Sequence, residues 1–334
     1  MIRNIELTAF GPISKFSYAG FQNINLIIGR NGSGKTFLLK ALYAGLKTVE
    51  QYQRGNEPRS HKQLLADALY WTFQGRELGI LVRKGEPNLS FRMGSDKDEK
   101  LSYSFGAKTV NTIQNLECTF MPTEVNHIFI PAKEILSIQD VILRSYEVDK
   151  AFGFDKTYVD LARALSKTTK GRNYKEFSDA RTTLTDAIGG RLEFDDDSKE
   201  WIFREGNKRI IKISLTSEGI KRLSILDLLL GNHFLTRDSV VIIDEAEANL
   251  HPSLVCKFME ILVMLAKSGL QIFMSSHSYF VIKSLYVLAH QHQISIPTIS
   301  FEEDRAVVSD LLQGMPENPI VEESINIYKQ EIML

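Results

Sequence analysis

The chain has 334 residues, 24% of them charged, with 40 Lys and Arg against 41 Asp and Glu for a net charge of −1. That balance speaks against a generally basic, DNA-coating surface, and the length exceeds a single typical core, so one large head with an insertion, or two lobes, is expected. Two cysteines, Cys118 and Cys256, stand far apart without metal-ligand or disulfide spacing, no apolar run approaches the ~20 residues that cross a bilayer, and no signal peptide opens the chain. A cytoplasmic protein with no membrane partner is predicted.

The chain opens on a strand pattern, Ile5-Glu6-Leu7-Thr8-Ala9-Phe10-Gly11-Pro12, with a second strand near residues 16–18. Residues 24–28 read as a buried strand, and apolar residues at helical spacing follow over 37–46. Between them, Gly29-Arg30-Asn31-Gly32-Ser33-Gly34-Lys35-Thr36 meets the phosphate-loop pattern G-x-x-x-x-G-K-[ST] in the required strand, loop, helix order. Gly29, Gly32 and Gly34 let the backbone, with Asn31 and Ser33, turn its N–H groups toward one anion at the positive end of a helix. Lys35 would reach the β- and γ-phosphates of ATP, and Thr36 would place its hydroxyl on Mg²⁺. A glycine-rich turn can fit this pattern by chance; the motifs downstream argue against that.

About 200 residues separate this loop from the next acidic strand, far more than a βαβ crossover needs. A helix over 63–73 precedes candidate antiparallel strands near 78–83, 89–92 and 101–105. A strand at 128–130 leads into Pro131-Ala132-Lys133-Glu134, and Gln139 nearby reads as an exposed helical residue. Residues 135–188 are mostly helical without strict heptads, which makes long coiled-coil arms improbable. Lys167, Lys170, Arg172 and Lys175 surround Tyr174; this basic stretch reads as an exposed helix-loop ahead of a nucleic-acid contact. A hairpin over 191–194 and 200–204 turns at Asp195-Asp196-Asp197-Ser198, which lacks the ligand alternation of a calcium loop, and a strand at 210–213 follows.

Thr216-Ser217-Glu218-Gly219 then precedes a helix over 220–230; a small hydroxyl and a glycine there read equally as an anion site or as a plain N-cap. Val240-Val241-Ile242-Ile243-Asp244-Glu245 suits a parallel strand buried on both faces, with its two carboxylates at the end where ligands of α/β sheets sit. Asp244 would hold Mg²⁺ and Glu245 would accept a proton from the attacking water. His251 with Pro252 sets the turn into a helix over 254–266. A strand over 271–274 runs into Ser275-Ser276-His277, where a neutral imidazole could sense a γ-phosphate. A strand over 294–301 and a helix over 320–332 close the chain.

The run Asp244-Glu245-Ala246-Glu247-Ala248-Asn249-Leu250-His251-Pro252 resembles the Asp-Glu-x-Glu-x-x-Leu-His-Pro segment of ABC-type ATPases of the RecF, SMC and OLD kind, and the opening strands with the phosphate loop resemble the start of those heads. The resemblance implies an α/β P-loop NTPase of ABC type: a single discontinuous head over 1–334, with a mostly parallel core sheet, β-lobe elements at about 60–130, a helical insertion at about 135–190, and a signature, Asp-Glu and switch-histidine lobe at about 191–334. It makes His277 the switch histidine and Ser217 with Gly219 a signature altered at three positions. It places Glu247 and Asn249 in the segment that crosses between subunits. The glutamine-loop position carries no Gln, with Lys133 or Glu134 in its place. ATP and Mg²⁺ are implied cofactors, bound in composite sites of a homodimer. A stand-alone head without a Toprim domain implies control of a separately encoded effector, a nuclease or toxin, in antiphage defence; the alternative is a RecF-like repair clamp that binds nucleic acid.

Overall fold

Side-chain alternation along three short strands decides the architecture. In chain order the elements are β1 (Ile2–Phe10), β2 (Ile13–Ala19), β3 (Ile24–Gly29), α1 (Lys35–Gln51), α2 (His61–Phe73), β4 (Asn88–Ser95), β5 (Lys100–Gly106), β6 (Asn115–Cys118) and β7 (Ile128–Ile130). There follow α3 (Gln139–Glu147), α4 (Lys156–Leu165), α5 (Ser178–Ile188), β8 (Arg191–Asp195), β9 (Glu200–Glu205), β10 (Arg209–Lys212), α6 (Glu218–Gly231) and β11 (Val240–Ile243). The chain closes with α7 (Pro252–Lys267), β12 (Gln271–Ser276), α8 (Tyr279–His292), β13 (Pro297–Phe301), β14 (Ala306–Asp310) and α9 (Pro319–Ile332). This computed structural model describes residues 1–333 apart from 168–174, 196, 199, 207–208 and 303–304.

The central sheet has the order β14-β13-β3-β12-β11-β7, parallel throughout except for β14. Leu26 and Ile28 enter one hydrophobic core while Ile27 enters the other; Ile128 and Ile130 part from Phe129, and Val241 and Ile243 from Val240 and Ile242, in the same way. Both faces are therefore covered, which is why these strands read as unbroken apolar runs. One face carries α1 and, beyond it, the antiparallel sheet β2-β1-β4-β5-β6. A Cβ at Gly45 would lie 3.0 Å from Met93 Sδ, so the missing side chain is what lets α1 lie this close to β4. The other face packs on α4 to α8, with the small sheet β10-β9-β8 at its margin.

Several expectations need correction. Residues 78–83 do not form a strand: Leu78–Leu81 is a single 3-10 turn, because the N–H groups of Leu78 and Gly79 go to the Val110 and Thr109 carbonyls, and only Val82 bridges to Phe10. The short edge strand β6 escaped the sequence reading, and β1 and β2, from ahead of the phosphate loop, belong to the same sheet as β4 to β6. Gln139 is buried, not exposed: its amide donates to Ala162 O and Ser166 Oγ and accepts from Trp201 Nε1, tying α3 to α4 and β9. Residues 294–296 close α8, through Ile294 N to Ala289 O, before β13 begins at Pro297. Of the basic stretch, Lys170, Arg172 and Tyr174 lie outside the described residues, while Lys167 sits over the Phe234 ring.

Candidate nucleotide site

The site lies where β3, β11 and β12 end side by side. Gly29 leaves β3 at φ 146°, and a Cβ there would stand 2.4 Å from the Phe301 carbonyl oxygen, so no other residue fits. Gly34, at φ 102°, starts α1 with Ile13 close against it, and Gly32, at φ 77°, turns the loop in open space. Asn31 is exposed; the Ser33 hydroxyl is buried and has no hydrogen-bond partner among the described residues. Lys35 folds back, its Nζ donating to Gly29 O at 2.9 Å and Arg30 O at 2.8 Å. Burial lowers its pKa, opposed by Asp244, Glu245 and Glu247.

In the first turn of α1, the Thr36 hydroxyl meets the Asp244 carboxylate at 3.0 Å, joining segments 208 residues apart. Parallel register adds a third group: Ile243 stands opposite Met274, so the next residues, Asp244 and Ser275, emerge together. Ser275 Oγ donates to Asp244 Oδ1 at 2.5 Å and accepts from Glu245 N at 2.8 Å. Glu245 itself has a left-handed backbone, φ 49°, which a non-glycine residue holds only when its surroundings impose it.

Arg222, from the second turn of α6, imposes it from the other side. Its guanidinium donates to the carbonyls of Asp244 and Glu245, at 2.7 Å each, and to those of Pro131 and Ala132 at 3.1 and 2.9 Å. Burial brings its pKa down to about 10, against the pull of Glu247, Asp244 and Glu245. Neither Ser275 nor Arg222 was singled out from the sequence. The available signals were the Ser275 register and the one arginine of a helix whose later turns are mostly apolar.

The remaining sequence candidates gather in two places. His277 follows β12, and its N–H donates to Glu247 Oε1 at 2.6 Å; Glu247 Oε2 is buried without a partner among the described residues. Ser217 caps α6 through Ile220 N at 3.4 Å and is exposed. Gly219 is buried against Asn249 and Leu250, where a Cβ would come 2.9 Å from Asn249 O. Among the described residues neither Ser217 nor Gly219 hydrogen-bonds to the phosphate loop of its own chain. At the glutamine-loop position Pro131 and Ala132 are held by Arg222, and Glu134 lies 3.8 Å from Lys221. His251 caps α7 by accepting from Ser253 N, with Pro252 in the first turn.

A family model described as "AAA domain, putative AbiEii toxin, Type IV TA system" matches residues 24–283. Among solved structures, the chain is similar to an SMC head bound to the C-terminal winged-helix domain of ScpA, with 13% identity, a TM-score of 0.56, and 92% of this chain and 97% of that one covered. It is also similar to a Pyrococcus furiosus Smc head with an extended coiled coil bound to the C-terminal domain of ScpA, with 13% identity, a TM-score of 0.52, and 98% of each chain covered. No individually curated protein matches the sequence. The structural likenesses show the fold, an ABC-type P-loop head.

Proposed function

The chain belongs to the AAA-domain family matched over residues 24–283, within the ABC-type ATPases, and from that premise we propose that it hydrolyses ATP with Mg²⁺ as a head-to-tail homodimer whose nucleotide state controls a separately encoded effector. The observation that carries this reading is the Thr36–Asp244 contact, which sets a hydroxyl and a carboxylate together beside the lysine of a glycine-rich loop. Both are hard oxygen donors of the kind Mg²⁺ takes while keeping most of its waters, so Thr36 and Asp244 would hold it. Bound there, the ion would neutralise charge on the β- and γ-phosphate oxygens.

The chain's own residues do the rest. The backbone from Gly29 to Gly34 cradles the phosphates and Lys35 pairs with them, its burial making the charge more effective. Glu245, held from both sides of its turn, takes the proton of the attacking water. His277, seated by Glu247, donates to the γ-phosphate. Ser217 and Gly219 reach the nucleotide of the second protomer through a helix N-terminus, which fits the exposure of Ser217 and the absence of any hydrogen bond from either residue to their own loop among the described residues.

The effector in this reading is a nuclease or toxin in antiphage defence; the mention of a Type IV TA system in the family description is in keeping with a module of two encoded partners. The test has two stages. Lys35→Ala should lose ATP binding, and retained affinity would remove the phosphate-loop assignment. Glu245→Gln should bind ATP, turn over very slowly and accumulate ATP-dependent closed dimers whose closure Ser217→Arg prevents. Glu245→Gln purified from its host with ATP should bring down a stoichiometric effector; DNA with repair factors instead would favour a clamp.

A further inference from the structure

The terminal helix α9 is anchored at one end only. Asn318 caps it through Ile320 N, and Val321 is buried in the main core, yet every residue from 325 to 333 is exposed. Along that projecting part run Ile325, Tyr328 and Ile332, 45%, 61% and 66% exposed, which with Val321 repeat at intervals of four, three and four. That is the spacing of a coiled-coil seam. Ile327 lies off the stripe. A helix of this length is marginal in water unless its apolar face is covered.

We propose that α9 packs antiparallel against α9 of a second copy of this chain, forming a dimer that needs no nucleotide. Charge decides the occupant and its direction. Glu322 and Lys329 lie on the same edge of the stripe, seven residues apart, and neither has an ion-pair partner within the chain among the described residues. Antiparallel pairing sets Glu322 against Lys329 of the partner subunit, twice over, and aligns the helix dipoles favourably. Parallel pairing instead sets Lys329 against Ser324 and gives neither charge an opposite. Few turns are buried, so the dimer falls at the weak end of specific interfaces. It would still hold two heads at high effective concentration, whatever closes their nucleotide sites.

Sedimentation equilibrium without nucleotide, from micromolar upward, tests this. The wild type should approach twice the monomer mass, and Tyr328→Glu should remain monomeric. Glu322→Lys should weaken association about tenfold, and Glu322→Lys with Lys329→Glu should restore it. Ser217→Arg should leave it unchanged, which separates this contact from the nucleotide sandwich. All these residues are exposed, so every variant should keep the folded head, any loss of helical signal being confined to α9. A wild type monomeric throughout would mean that something else covers α9. That result, an unaffected Tyr328→Glu, or a double charge reversal without rescue would each overturn the proposal.

Discussion

Replacing Arg222 with Met tests how the Asp-Glu turn is held. Arg222 is 5% exposed, and its guanidinium donates to four carbonyls, those of Pro131, Ala132, Asp244 and Glu245. Hydrogen bonds from a charged group contribute about 1.5 kcal/mol each at the low end, so the four amount to roughly 6 kcal/mol. Burial opposes them, bringing the pKa down to about 10 despite three nearby carboxylates, so the sum is an upper bound. Met recovers the burial cost while losing the bonds, so the net loss should be a few kcal/mol, below that bound, read by urea unfolding. The effect on turnover should be larger. Freed of Arg222, the left-handed turn at Glu245 can relax, and displacing a catalytic carboxylate by about 1 Å costs on the order of a hundredfold. Arg222→Lys keeps the charge, but one ammonium cannot serve four carbonyls, so it should rescue stability in part and turnover little. A Met variant with wild-type ATPase activity would refute the link between α6 and Glu245, and unchanged stability would mean that the four bonds only balance their burial.

Ser275→Ala removes both the hydroxyl donated to Asp244 and the acceptor for Glu245 N, so Mg²⁺-dependent ATP affinity should fall about tenfold or more, with binding measured in EDTA unchanged; equal losses in both conditions would count against it. His127 accepts from Val240 N, and burial lowers its pKa to about 3. Stability is therefore complete above the ordinary value near 6.5 and lost as pH falls through the window from 6.5 toward 3, because the unfolded chain takes up a proton that the folded chain refuses. At pH 5.5 the loss should be about 1.2 kcal/mol relative to neutral pH, and His127→Gln should flatten that part of the profile; an equally steep slope in the variant would assign it to other groups. Gly29→Ala meets the Phe301 carbonyl and a backbone angle of 146°, so it should abolish ATP binding and lower the unfolding midpoint, and normal calorimetric binding would contradict the loop geometry.

What was legible in the sequence is what short stretches decide for themselves. Strands β3, β7 and β11 are visible because burial on both faces demands unbroken apolar runs, and the starts of α6 and α7 because Ser217, His251 and Pro252 satisfy or dispense with their own first N–H groups. Residues 78–83 look like a strand by the same local criterion. Their fate is settled by the Val110 and Thr109 carbonyls, which take the N–H groups a strand would have used. Gln139 shows the same limit: its polarity predicts exposure, and only three partners brought from α4 and β9 make its burial possible.

The site divides along the same line. Lys35, Thr36, Asp244 and Glu245 stand out because phosphate and metal chemistry restricts residue type and spacing over a few positions. Ser275 and Arg222 are restricted by nothing local. Their work is to hold a turn whose own conformation is unfavourable, and such support has to come from elsewhere in the fold, here from β12 and α6. That origin has a consequence for control. Arg222 stands five residues after Ser217 on the helix whose N-terminus would meet the second protomer's nucleotide. The backbone of the proposed general base is therefore fastened to the element that would register the partner, and a movement of α6 cannot leave Glu245 where it was unless those bonds break.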